Sequence, residues 1–184
     1  MGVLSRHPRL ALVALAAAPV SAFAVDYMTP EQAARLIFPD AERFDSVEIA
    51  LSPAQMRKLE ETGVRARSAR WQVRAARGQG GTLGWVVVDE VIGKFELITY
   101  AVGLGSDGVL RQVEVLSYRE SHGSEIRLPA WRRQFAGKRA GDAIELGRDI
   151  ANISGATLSC RHVTEGVKRI VELVQLLKGD GSLR

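Results

Sequence analysis

The sequence predicts an α+β protein in which helices pack on one face of a twisted antiparallel sheet. Between residues 65 and 118, apolar and alternating segments are separated by short glycine-containing turns, which is typical of an antiparallel meander. Patterns with helical periodicity and helix-capping residues lie at the two ends of the chain. Strands in the middle and helices at the ends favour one sheet with helices segregated to one side.

Residues 1–24 have the layout of a secretory signal peptide. Arg6 and Arg9 precede an apolar run from Leu10 to Val20, and Ala22-Phe23-Ala24 supplies an A-x-A cleavage site. The run is shorter than the ~20 residues that span a bilayer. We therefore expect cleavage after Ala24 and a periplasmic protein, membrane-associated only through a partner; an uncleaved anchor is the alternative.

The 160 residues that follow Ala24 are enough for one domain with one core. We expect residues 25–83 to form one compact unit with a second region at 84–178, followed by a tail at 179–184. Without Arg6 and Arg9 the formal charge falls from +4 to +2, so the basic precursor gives no indication of nucleic-acid binding. Cys160 is the only cysteine, which excludes an intramolecular disulfide.

Two helices are predicted before the meander. Thr29-Pro30-Glu31-Gln32 and Ser52-Pro53-Ala54-Gln55 both have the capping-box pattern with Pro at the first helical position. Gly63 stands where the second helix should end. Between them, Phe44–Leu51 alternates as a half-buried strand.

The meander itself contains three further apolar segments. Trp85–Val88 is a predicted buried strand, and Val91–Leu104 is predicted as the next one. Ser106-Asp107-Gly108 forms a turn, after which Val109–Tyr118 returns as the hairpin partner.

An arginine-rich run precedes these strands. It contains no acid, and its cations are Arg65, Arg67, Arg70, Arg74 and Arg77. A solvated strand face is the favoured interpretation. The alternative is a docking surface for anionic headgroups or for an acidic partner protein.

The stretch from Asp149 to Ser159 leads into the C-terminal helix, whose apolar stripe runs from Leu158 to Leu177. The first N–H groups of a helix lack intrahelical partners and attract anions. Gly155 allows close backbone approach, while Ser154 and Thr157 offer hydroxyls. This start therefore predicts a phosphate site, in which a hydroxyl is either a ligand or the point of covalent attachment.

The tetrapeptide Ser154-Gly155-Ala156-Thr157 resembles the S/T-G-A-T signature of the FMN-binding domain family. Upstream, Gly93-Lys94-Phe95 resembles the opening of a family strand, and Glu120-Ser121-His122-Gly123 resembles its E-T-x-G loop. The segments occur in the family's order, and the resemblance covers roughly residues 84–178.

The resemblance implies that FMN is joined by a phosphoester to Thr157, through the action of an FAD:protein FMN transferase. It also implies an electron-transfer function, with a membrane electron-transfer subunit or another redox protein as partner. Gly123 would let the loop backbone lie along the isoalloxazine ring, and Arg148 suits the phosphate. The predicted FMN-contacting residues are Lys94, Glu120, Ser121, Gly123, Arg148, Asn152, Ser154, Gly155, Ala156, Thr157 and Ser159.

The family's flavinylation motif has an Asp three residues before its first S/T, and this chain has Ala151 there. Asp149 and Asn152 are the nearest candidates for that role, and Ser159 is a competing attachment hydroxyl. One alternative is therefore an assembly or sensor module of the same fold without flavin; another is a periplasmic flavin-dependent reductase.

The sequence offers no catalytic set and no metal site. It has no Ser-His-Asp arrangement or nicotinamide fingerprint, and His122 lacks a second ligand at metal-binding spacing. Trp131 and Phe135 are expected in the core of a short helix over Leu128–Phe135 rather than on the cofactor. An electron carrier is favoured over a stand-alone enzyme.

Overall fold

The computed structural model describes residues 25–184; the predicted signal peptide lies outside this range. The strands are β1 (Val25–Asp26), β2 (Arg43–Ala50), β3 (Arg70–Gly78), β4 (Gly81–Ile92), β5 (Leu97–Gly105) and β6 (Leu110–Tyr118). The helices are α1 (Pro30–Ile37), α2 (Pro53–Glu61), α3 (Pro129–Arg132) and α4 (Thr157–Gly179). All neighbouring strands are antiparallel, in the order β1-β6-β5-β4-β3-β2. This confirms the α+β class with a C-terminal helix. Within residues 25–184, no helix is both long and apolar enough to cross a bilayer.

Both predicted capping boxes are confirmed. The Thr29 hydroxyl accepts a hydrogen bond from Gln32 N at 3.2 Å, and Gln32 Oε1 accepts one from Thr29 N at 2.7 Å. Ser52 and Gln55 repeat the arrangement at the start of α2. Gly63 follows α2 with φ +84°, a conformation that favours glycine.

The helices lie on both faces of the sheet. The prediction that they pack on one face is therefore corrected for α1. Helices α2 and α4 contribute to the larger apolar cluster, through residues such as Leu59 and Val167. Helix α1 belongs to the smaller cluster on the other face, where Ile37 packs over Gly103. The alternating β3–β6 strands present small or apolar side chains on both faces, and α1 covers the second one.

The predicted strand Val91–Leu104 is two strands joined by a tight turn. Gly93 N donates to Glu96 O at 2.7 Å, which closes the chain reversal between β4 and β5. The segment Gly93-Lys94-Phe95 therefore forms a turn and does not open a strand. The cause is non-local, since Glu120 accepts hydrogen bonds from the backbone of this turn.

The predicted short helix over Leu128–Phe135 is confirmed as α3 followed by a 3-10 turn at Arg133–Phe135. Trp131 and Phe135 are buried and meet edge to face, with ring centroids 5.1 Å apart. Both belong to the core, as predicted.

Helix α4 approaches the sheet most closely at Gly166. A Cβ at this position would lie 1.9 Å from the hydroxyl of Tyr100 on β5. That hydroxyl donates to Asp89 Oδ2 at 3.1 Å, and Arg169 of α4 donates to the same oxygen at 3.1 Å. Burial, with the adjacent Asp89 carboxylate, raises the pKa of Tyr100 well above its usual value. Gly166 therefore fixes how deeply α4 sits on the sheet.

We expect Gly166→Ala to destabilise the fold. Overpacking against the buried Tyr100 costs about 1–3 kcal/mol, which exceeds the ~1 kcal/mol that Ala gains over Gly in a helix. Gly179→Ala is the matched control, because a Cβ added there would meet no atom within 4 Å outside its chain neighbours and the local helix backbone. Urea unfolding should show a lower midpoint for Gly166→Ala and an unchanged or higher midpoint for Gly179→Ala; equal midpoints would contradict the close contact.

Candidate functional site

Three segments surround a cavity of about 280 Å³: the β4–β5 turn, the loop after β6 and the start of α4. Most of the predicted site residues line it, which brings together parts of the sequence up to 65 residues apart. The predicted residues on its wall are Lys94, Glu120, Ser121, Gly155, Ala156, Thr157 and Ser159. The additional lining residues are Phe95, His122 and Leu158.

The start of α4 is open toward an anion. Ala156 occupies the N-cap position, and no side chain caps the helix there. Gly155, with φ +81°, turns the chain so that Ala156 N can donate to Ile153 O at 3.0 Å. The next N–H groups lie at the positive end of a helix of 23 residues. This geometry confirms the predicted helix start and suits a phosphate.

The two candidate hydroxyls of this turn differ in environment. Thr157 is exposed, and its Oγ1 accepts a hydrogen bond from Asn152 Nδ2 at 2.9 Å. Ser159 is only 3% exposed, and its Oγ lies 3.2 Å from the hydroxyl of Tyr118. Thr157 is thus the more accessible nucleophile, while Ser159 ties α4 to the end of β6.

Gly123 has a structural role that the sequence did not suggest. Its φ is +87°, and a Cβ there would lie 2.3 Å from Ala156 Cβ and 2.7 Å from the Tyr118 hydroxyl. That hydroxyl also donates to the backbone oxygen of His122. Burial raises the pKa of Tyr118. Gly123 therefore allows the loop to pack against the helix start, and it is absent from the cavity wall.

Glu120 holds the β4–β5 turn in place. Its Oε1 accepts hydrogen bonds from Phe95 N at 2.6 Å and Glu96 N at 2.9 Å. Burial favours the neutral acid, but hydrogen bonds from the backbone of residues 94–96 outweigh it and lower the pKa of Glu120. Gly93 leaves the necessary space, since a Cβ there would lie 2.5 Å from the same oxygen. The carboxylate thus positions the turn that forms one wall of the cavity.

The mouth of the cavity combines apolar surface with a cation. Phe95 is 71% exposed, and Lys94 Nζ lies 4.8 Å from the centre of its ring. Leu158, predicted as the first residue of the buried stripe of α4, is instead partly exposed at the cavity. Phe95 was not among the residues predicted to bind. An aromatic residue beside Gly-Lys in a tight turn is the signal that could have identified it.

Four residues near the motif lie apart from the cavity wall. Arg148 is 72% exposed and lies 3.8 Å from Glu145. Ser154 is exposed and precedes the lining residue Gly155, but it is not itself on the cavity wall. Asn152 reaches the wall only through its hydrogen bond to Thr157.

Asp149 is the fourth of these residues, and it closes the turn before the motif. Its carboxylate accepts hydrogen bonds from Lys138 Nζ at 2.6 Å and from Glu145 N at 2.6 Å. Lys138 and the backbone N–H groups overcome the effect of burial and lower the pKa of Asp149. The carboxylate is therefore already occupied within its own turn.

Ala151 is anchored through its backbone. Its carbonyl accepts from Trp131 Nε1 at 2.8 Å, and its N–H donates to Gln134 Oε1 at 2.7 Å. The loop that carries Asn152 to the Thr157 hydroxyl is therefore tied to α3 and to the 3-10 turn that follows it. This explains how a loop without regular structure can hold that contact.

Comparison with known proteins gives a match to one protein family over part of the chain. A family model described as FMN-binding domain matches residues 93–172. This range contains the β4–β5 turn, the loop after β6 and the start of α4, which are the three segments of the cavity.

Two curated relatives and one solved structure are similar to the chain. The G subunit of the proton-translocating ferredoxin:NAD(+) oxidoreductase complex of Clostridium ljungdahlii is 31% identical over 113 residues, covering 57% of this chain and 60% of that protein. The C subunit of the Na(+)-translocating NADH-quinone reductase of Yersinia pestis is 33% identical over 141 residues, covering 67% of this chain and 52% of that protein. The crystal structure of Shewanella oneidensis NqrC matches with a TM-score of 0.52 and 17% identity, over 78% of this chain and 88% of that one, which supports the fold. The chain thus spans between half and two thirds of its curated relatives.

We expect the contribution of Glu120 to stability to depend on pH. Because its folded-state pKa is lowered, the carboxylate stabilises the fold above about pH 4.3, the usual value for Glu, and this stabilisation is lost as the pH falls through the lower folded-state pKa. Glu120→Gln should therefore cost about 0.5–1 kcal/mol at pH 7 and less at pH 3, as measured by urea unfolding.

Glu125→Gln, on the same loop, is the control for this pH series. The Glu125 side chain is exposed and is not the group that holds the β4–β5 turn, so Glu125→Gln should not show the Glu120→Gln deficit at pH 7. A Glu120→Gln deficit that is as large at pH 3 as at pH 7 would mean that the charge of Glu120 does not hold the turn.

Proposed function

We propose that this protein, whose residues 93–172 match the FMN-binding domain model, is an exported flavoprotein that relays electrons, with FMN joined to Thr157 by a phosphoester. The single observation that carries the proposal is the uncapped start of α4, where the exposed Thr157 hydroxyl stands on the wall of the cavity.

The residues present suit FMN. The free N–H groups at the start of α4 and the ammonium group of Lys94 are appropriate partners for a phosphate. Phe95 and Leu158 offer apolar surface for a flat aromatic ring at the cavity mouth. Ser121 adds a hydroxyl on the same wall. An anion site and an apolar surface thus meet in one cavity, as a phosphate-bearing aromatic cofactor requires.

The attachment uses FAD as the donor and an FAD:protein FMN transferase as the catalyst. Thr157 Oγ1 forms an ester bond to the phosphorus of the FMN half, and the anhydride bond of FAD breaks. AMP leaves with the bonding electron pair, and the hydroxyl proton passes to a base of the transferase or to solvent. Asn152 keeps the Thr157 oxygen in a fixed position through its 2.9 Å hydrogen bond.

Bound flavin supplies a carrier that accepts two electrons and releases them singly. The chain's own residues determine its surroundings. Glu120 brings an ionised carboxylate that is already occupied by two backbone N–H groups, and Lys94 brings a positive charge at the mouth. The charges of Glu120 and Lys94 act electrostatically on the flavin and change the relative stability of its oxidised and reduced states.

Tethering suits an exported protein. Occupancy of a reversible site falls with the concentration of free ligand, and free FMN is dilute outside the cytoplasm. Both curated relatives are named as subunits of ion-translocating oxidoreductases. We therefore propose a membrane electron-transfer subunit as one partner and a second redox protein as the other, with export provided by residues 1–24.

We expect Thr157→Ala to abolish flavin fluorescence in denatured protein that was secreted from a host containing the transferase. Thr157 is exposed and does not cap α4, so the substitution should change the free energy of unfolding by less than about 0.5 kcal/mol. In-gel fluorescence after denaturation reports only the covalent bond.

Ser159→Ala is the matched control and should keep the fluorescence, because this hydroxyl is buried against Tyr118. Loss of fluorescence in Ser159→Ala with retention in Thr157→Ala would place the bond on Ser159. A parent protein that never retains flavin after denaturation would favour the non-flavinylated module, for which Ala151 is the motivating observation.

A further inference from the structure

Four of the five cations of the arginine-rich run fall into two groups with different environments. In β3, Arg74 Nη1 lies 2.5 Å from Glu31 of α1, and Arg77 Nε lies 2.9 Å from Asp45 of β2. These cations connect elements of the fold. Arg65 and Arg67 precede β3 and instead line a separate cavity next to α4. Arg65 and Arg67 are therefore available for a role other than connecting elements of the fold.

This second cavity, about 580 Å³ in volume, is larger than the one at the start of α4. Its walls are the loop after α2, the turn at 144–146 and one side of α4. Two carboxylates, Glu145 and Glu165, face five cations there. We name it the basic cleft after these cations: Arg65, Arg67, Arg161, Lys168 and Arg169.

Among the residues the structure describes, four of the five cations of the basic cleft make no direct ion pair. Within residues 25–184, Arg169 is the only one of the five cations with an ion pair, to Asp89 at 3.1 Å. Arg65, Arg67 and Arg161 are exposed. Charged partners can therefore reach these guanidinium groups without first breaking an internal pair.

The basic cleft begins one helical turn from Thr157. Residues 157, 161 and 168 are separated by four and seven positions, so they lie along one side of α4. With a rise of 1.5 Å per residue, Arg161 is roughly 6 Å further along the helix axis than Thr157. Whatever occupies the cleft is thus close to the proposed cofactor site.

We propose that the basic cleft is the docking surface for an acidic face of a redox partner protein; this rests on the function proposed above. Guanidinium groups bind carboxylates with paired hydrogen bonds, which suits a surface rich in Asp and Glu. Glu145 and Glu165 would repel a uniform polyanion, but they can pair with the scattered Lys and Arg of a protein surface. The cleft is concave, so a protruding loop can enter it, whereas a flat layer of lipid headgroups meets only its rim.

Docking of this kind acts mainly on the association rate and depends on salt. Complementary charge accelerates encounter by 10- to 1,000-fold at low ionic strength, and the effect is screened over roughly 8 Å at physiological ionic strength. A partner guided to the cleft would arrive with its own redox centre near the cavity at the start of α4.

The test compares two charge-reversal variants of the full chain. Arg65→Glu with Arg161→Glu alters the basic cleft. Arg35→Glu with Arg111→Glu is the matched control, because both residues are exposed and their guanidinium groups lie over Phe44 and Phe38 on the α1 side of the sheet. Both variants change the net charge by the same amount.

The probe is a plant-type [2Fe–2S] ferredoxin, a small acidic redox protein. Its dissociation constant is measured by titration against the unloaded chain at low salt, and electron exchange with the FMN-loaded chain is measured by stopped flow. We expect the cleft variant to bind ferredoxin at least about tenfold more weakly and to exchange electrons at least about tenfold more slowly than the parent. In the control variant both changes should be less than about threefold. Binding by the cleft variant should also depend less on salt than binding by the parent.

The outcomes separate docking from electron relay. Equal weakening in both variants would mean that net charge alone acts, which overturns the proposal. Phosphatidylglycerol vesicles that bind the parent but not the cleft variant, with ferredoxin binding unchanged, would assign the cleft to a lipid surface and also overturn it. Cleft-dependent binding of ferredoxin without electron exchange would support docking while contradicting the proposed relay.

Discussion

The first turn of α4 is held against the end of β6 by a contact that leaves no room for a side chain at residue 123. Gly123 meets Ala156 directly, and the Tyr118 hydroxyl joins the His122 carbonyl and the Ser159 hydroxyl behind that contact. Ten residues further along α4, Gly166 meets Tyr100 equally closely. Two such points fix both the position and the direction of the helix, and with it the location of its free N–H groups.

The features that could be predicted from sequence depend on neighbours three or four residues apart. The capping boxes at Thr29 and Ser52 are closed by residues within the same turn, so the pattern alone determines them. The start of α4 is similar, since Gly155 and the apolar stripe that follows it define where the helix begins. Most of the predicted site residues also line one cavity, although they lie up to 65 residues apart in the sequence; the family resemblance, and not a local pattern, grouped them.

The features that escaped prediction depend on distant partners. The break in the predicted strand Val91–Leu104 is stabilised by Glu120, which no local pattern connects to the turn. Lys138, which lies 11 residues before Asp149, donates to its carboxylate at 2.6 Å, and the adjacent Arg148 lies near Glu145 and not on the cavity wall. The two faces of the sheet also look alike in sequence, so α1 could not be assigned to its side in advance.

The shape of the cavity bears on why a covalent bond would be useful. Pockets that hold a ligand by burial alone usually measure about 300–1,000 Å³ and enclose most of its surface, whereas this one is about 280 Å³ and its mouth is formed by the exposed Phe95. A cofactor held there would be anchored at its phosphate end and remain accessible elsewhere. Such a site would lose affinity through incomplete burial but would gain contact with redox partners. A covalent bond to Thr157 would keep the site occupied however little of the ring is enclosed. The ring could then remain accessible to redox partners without loss of the cofactor.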